Sequence, residues 1–125
     1  MTDTYDANVA NAIVLGNTAI YWATVTTASI AANQTVAQIP VAGITGVEFF
    51  VKGVDENGTL NKYSAATVMA VSDGSANADF VIYGTTFIGA TTGGLAVNIV
   101  GSNIALQVSP ASTNSTVWTT QFRTI

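Results

Sequence analysis

The sequence predicts an all-β protein: an antiparallel β-sandwich of about eight strands, joined mostly as a meander, with a short N-terminal arm. Three observations carry this expectation. Thr, Val, Ile, Tyr, Phe and Trp recur in short runs, and these residues suit a pleated, half-buried surface. Gly, Asn, Asp and Ser separate the runs at the spacing of small sandwiches and barrels. The pattern requires no helix of length.

Thr18 to Thr27 is the first strand. Gln34 to Pro40 is a second, shorter one that stops at proline, as a strand end or an edge does. Val47 to Val54 alternates cleanly, with Val47, Phe49 and Val51 on one face and Glu48, Phe50 and Lys52 on the other. Asp55-Glu56-Asn57-Gly58 reads as a hairpin turn, because Asn-Gly supplies positive φ. The returning strand runs from Leu60 to Val71. Asp73-Gly74-Ser75 is the next turn, followed by Asp79 to Thr85. A Gly/Thr-rich loop, Gly89 to Gly94, leads into Leu95 to Val100, and Gly101-Ser102-Asn103 reverses the chain into Ile104 to Ser109. Pro110 to Ser115 is the last loop and Thr116 to Thr124 the last strand.

Residues 18–125 form the sandwich domain in this reading, and residues 1–17 the arm. That first segment fits no clean strand period. It is a frayed terminus or an extra edge strand, an extended arm lying on a neighbouring subunit, or a short helix through Asp6 to Leu15 with Asp6 as N-cap. At 125 residues the chain is one domain's worth, enough to bury roughly two-thirds of its unfolded surface.

Charge is the outstanding feature of the composition. Three basic and seven acidic residues serve 125 positions, with none from Ala7 to Val47 or from Phe80 to Phe122. Soluble domains usually carry about a quarter charged residues. The polar surface here must be Thr, Ser, Asn and Gln, which enter contacts without the desolvation cost of ions. This composition suits a protein that lives against other proteins. Direct binding to nucleic acid is not expected, because only Lys52, Lys62 and Arg123 are basic and no cationic stripe exists. A membrane is not expected either, since no apolar run approaches the ~18 residues of a spanning helix and no export signal is seen.

Catalysis is not expected. Histidine and cysteine are absent, which removes the common ligands of zinc, copper and haem and the usual base for a nucleophilic serine. Asp55, Asp73 and Asp79 fall at or beside turns, where aspartate bonds nearby amides. Glu48 and Lys52 read as solvated groups on one strand face. Asp55-Glu56-Asn57 lacks the continuing ligands of a calcium loop. No cofactor and no metal are implied. Among the aromatics, Trp118 and Phe122 are expected in the core. Adjacent Tyr21 and Trp22 face opposite ways, so one of them is a candidate contact anchor or sugar-stacking platform. With them, Tyr5, Val9, Ile13 and Leu15 of the arm are the candidate subunit contacts.

Several segments resemble a β-rich module of tailed bacteriophage virion proteins, notably those of cyanophages. These are Val47-Glu48-Phe49-Phe50-Val51-Lys52-Gly53, Tyr63-Ser64-Ala65, Val68 to Gly74, the aromatic strand ending Tyr83-Gly84, and above all Gly101 to Thr116 with the closing Phe122-Arg123-Thr124-Ile125. Residues 1 to 33 fall outside the match. The resemblance implies a virion component, the module occurring in both capsid-surface and tail-associated proteins. A small chain with a short arm looks like a decoration (cement) protein of the outer capsid surface, expected as a homotrimer bound to the phage major capsid protein. A tail-associated subunit (fibre, neck or hub) is the alternative it leaves open. A small carbohydrate-binding module using Tyr21, Trp22 or Trp118 is a further one, drawn from the aromatics themselves.

Overall fold

Alternation along each strand decides the architecture. The computed structural model describes the backbone of residues 3–6, 12–15 and 18–125, and side chains from Ala19 onward. The described residues form ten strands and no helix: β1 (Asp3–Asp6), β2 (Ala12–Leu15), β3 (Thr18–Thr27), β4 (Gln34–Pro40), β5 (Gly46–Asp55), β6 (Lys62–Ser72), β7 (Ala78–Ile88), β8 (Gly93–Val100), β9 (Asn103–Pro110) and β10 (Thr116–Thr124). The eight strands β3 to β10 are those expected from the sequence. Two antiparallel sheets result, of order β1-β2-β3-β10-β5-β6-β7 and β4-β9-β8. They pack face to face as a sandwich.

Five connections are hairpins within a sheet, β1-β2, β2-β3, β5-β6, β6-β7 and β8-β9; four cross between sheets. The crossings let β10 insert between β3 and β5, pairing with both along nearly its whole length. Within the first 17 residues, β1 and β2 pair antiparallel, and β2 pairs with β3. The helix considered through Asp6 to Leu15 is corrected at Ala12–Leu15, which is strand.

Between the sheets lie Val47, Phe49, Val51, Val68 and Ala70 from the larger sheet. Val36, Ile39, Val97, Ile104, Leu106 and Val108 face them from the smaller one. Trp118 and Phe122 are buried in the same core, and Trp118 donates its indole N–H to Thr27 Oγ1 at 2.9 Å. Gly53 lies opposite Trp118 in the β5–β10 register. A Cβ there would sit 2.6 Å from Trp118 Cζ3 and 2.5 Å from Thr92 Oγ1, so the indole occupies the space a side chain would take.

Turn chemistry departs from expectation at one place. Gly58 does not adopt positive φ, and the β5–β6 connection spans Glu56 to Asn61 rather than a tight turn. Side chains hold this longer loop. Asn57 donates to the Ser115 carbonyl at 2.8 Å, while the buried Asp55 carboxylate accepts from Asn57 N–H, Ser112 and Asn114. The β8–β9 turn keeps its expected form: Gly101 has φ of 60°, at the first central position of a two-residue reversal. In the β6–β7 turn, Asp73 Oδ1 accepts from the amides of Ser75, Ala76 and Asn77.

Two substitutions test this packing. Gly53→Ala should destabilise by about 1–3 kcal/mol in denaturant titration, because the indole must shift to admit a methyl. Thr120 is fully buried and its Oγ1 has no hydrogen-bond partner among the described residues. Thr120→Val should therefore be neutral or stabilising by about 1 kcal/mol, where an ordinary polar-to-apolar change at a bonded hydroxyl would destabilise.

Candidate interaction surface

The outer face of the larger sheet is the candidate site. Ladder register sets its side chains in four rows across β3, β10, β5, β6 and β7. The first runs Ile20, Arg123, Glu48, Met69, Val81. The second runs Trp22, Gln121, Phe50, Thr67, Tyr83. Thr24, Thr119, Lys52, Ala65 and Thr86 form the third, and Thr26, Val117, Val54, Tyr63 and Ile88 the fourth. Such a face should be polar if water were its only neighbour. Instead Ile20, Phe50, Met69, Val81, Tyr83, Ile88 and Val117 are all exposed, Phe50 to 44% and Val81 to 56%.

One charged cluster sits within the array. Glu48 Oε1 accepts from Arg123 Nη2 at 2.9 Å and Nε at 3.1 Å, and Glu48 Oε2 accepts from the Tyr83 hydroxyl at 2.7 Å. The strands supply these groups from β5, β10 and β7. Glu48 is only 8% exposed, which corrects the expectation of a solvated carboxylate. Arg123 lies directly beside it in register and Tyr83 reaches it from two strands away, so both cover it. The Tyr83 hydroxyl above all, with the Arg123 guanidinium, holds the Glu48 carboxyl below its ordinary range against the opposing effect of burial. The same bond pushes the Tyr83 phenol up.

This is the one ion pair among the described residues. Lys52 lies further along the face, in an open furrow of about 330 Å³ lined also by Phe50, Thr67, Gly84, Thr119 and Gln121. No group of three acidic, histidine or cysteine side chains among the described residues is placed to hold a metal ion. No described helix is long and apolar enough to cross a membrane.

The candidate contacts separate. Trp22 is on the outer face, half-buried. Tyr21 points the other way: it packs against the core and stacks on Phe122, ring centroids 5.2 Å apart. Trp118 is buried, so of the three aromatics considered as a sugar platform only Trp22 belongs to the outer face. Tyr5 and Ile13 occupy register positions in line with Ile20, and Leu15 pairs with Thr18. Val9 lies outside the described residues. Sequence reasoning missed Ile20, Phe50, Met69, Val81 and Tyr83. Their signal was present in the strand alternation, which leaves large apolar residues on both faces of β5, β6 and β7.

No protein-family model matches the chain, and no curated protein is significantly similar to it.

The Glu48 cluster predicts a pH dependence. A carboxyl with a lowered folded pKa stabilises fully above its ordinary value of 4.5, and the contribution is lost as pH falls through the folded value. Glu48→Gln should lower Tm at neutral pH, and the gap to the unaltered protein should narrow as pH drops below 4.5 in a thermal-denaturation series.

Proposed function

We propose that this chain is a structural subunit of a tailed-phage virion, a decoration protein that binds the outer capsid surface as a homo-oligomer and stabilises the shell. The observation that carries the reading is the outer sheet face, with Ile20, Phe50, Met69, Val81 and Val117 exposed around the Glu48–Arg123–Tyr83 cluster. Aromatic residues, methionine and arginine are the types enriched in protein interfaces. The paucity of charge over the rest of the chain supports the same reading, because neutral faces lose little on desolvation.

The mechanism is mass action. A protein that binds only the assembled lattice stabilises it by its binding free energy. Association into a trimer, as the resemblance implies, multiplies the effect by avidity. The phage major capsid protein is the proposed partner.

Localisation by electron microscopy of purified particles tests the location. Many copies over the head are expected; a few copies at one vertex would move the protein to the tail. Phe50→Lys tests the face. It should leave the fold intact and weaken binding to isolated shells at least tenfold, or about 1.4 kcal/mol. Unchanged binding would remove the outer face from the contact.

A further inference from the structure

Asn57 is the one asparagine in the chain that is followed by glycine. An asparagine in this setting is chemically labile. The backbone nitrogen of the next residue can attack the side-chain carbonyl carbon. Glycine, having no Cβ, leaves that nitrogen unshielded and its backbone free to approach.

The fold holds the two members of the pair for separate reasons. Asn57 donates its side-chain amide to the Ser115 carbonyl at 2.8 Å, tying the β5–β6 loop to the β9–β10 loop. A Cβ at position 58 would sit 2.7 Å from Asn114 Nδ2, which is itself bonded to Asp55 Oδ2. Glycine therefore lets Asn114 reach the buried carboxylate. These two requirements fall on adjacent positions, and together they create the labile pair.

The surroundings leave it open to reaction. Residues 56–61 are exposed, and the Gly58 N–H donates to no described residue. The Asn57–Ser115 bond lies at the surface. Water replaces such a bond readily, which frees the side chain to turn toward Gly58.

We propose that Asn57 is a spontaneous modification site, where deamidation to aspartate or isoaspartate cuts the tie between the two loops. The Gly58 nitrogen bonds to Asn57 Cγ, and the bond from Cγ to Nδ2 breaks. Nδ2 departs as ammonia, carrying the Gly58 amide proton. Water then opens the cyclic imide at either carbonyl, giving aspartate at one and isoaspartate at the other. Water is the sole co-reactant, and nothing is oxidised or reduced.

The product changes what the loop can hold. A carboxylate at position 57 accepts hydrogen bonds and has no proton to donate, so it meets the Ser115 carbonyl acceptor to acceptor. It also adds negative charge beside Glu56 and close to the buried Asp55. In the isoaspartate form the main chain gains one carbon, which displaces Gly58 from its place against Asn114. The site does not depend on what the chain binds, so it stands apart from the virion reading.

The full chain, incubated folded at mildly alkaline pH and mapped by peptide mass spectrometry, should gain the mass of an amide-to-acid exchange at position 57. Conversion should run about tenfold faster there than at Asn114, which precedes the bulkier Ser115 and is tied to Asp55. Asn57→Asp should reproduce the fall in Tm of the aged protein, about 3–6 °C for one lost hydrogen bond in a domain of this size. Asn57→Gln, whose longer side chain closes the ring far more slowly, should age without a further fall. Conversion at Asn57 no faster than at Asn114 overturns the proposal. So does conversion that leaves Tm unchanged, in the aged chain or in Asn57→Asp.

Discussion

Three strands cannot cover seven. At about 4.8 Å between neighbours, the smaller sheet spans about 10 Å and the larger about 29 Å. The dry interior is therefore confined to the middle of the larger sheet, where Phe49, Val68, Trp118 and Phe122 meet Leu106 and Val108. Beyond that overlap, residues of the inner face lack a lid. Ile82 belongs to the same register row as Phe49 and Val68. It is nonetheless exposed, because it lies at the margin the short sheet does not cover. The unequal widths turn an ordinary sandwich into one with an open apolar flank.

Scarcity of charge shapes what holds the loops. Where many domains use surface ion pairs, this chain uses amides, hydroxyls and a few well-placed carboxylates. Asp55 ties the β5–β6 loop to the β9–β10 loop through Ser112 and Asn114, and Asp73 organises its own turn. The Asn98 amide donates to Gln107 across neighbouring strands at 2.7 Å. The Asn98–Gln107 bond, between neutral groups, does not depend on salt as exposed ion pairs do.

The strand pattern was legible in the sequence because period-2 alternation and turn residues are local signals. Val47, Phe49 and Val51 point inward as read, and Trp118 and Phe122 fill the core. The order of strands was not legible, since no local signal says that β10 lies between β3 and β5. The environment of Glu48 escaped for the same reason: its two partners are 35 and 75 residues away in sequence. The Asn57-Gly58 turn misled because the demand for positive φ vanishes once the loop lengthens and Asn57 finds a carbonyl across the gap. The interaction face was half visible. Large apolar residues at both parities of β5 to β7 mark a strand with two covered faces, but only the tertiary structure shows which face lacks its cover.

The place of β10 has a kinetic consequence. This strand is synthesised after both of its neighbours, yet it is the slat that joins them. Until it emerges, β3 and β5 have no shared partner and the indole of Trp118 is missing from the centre. Contacts of such long sequence separation slow folding. The interior therefore stays half-built and apolar until β10 is in place between β3 and β5.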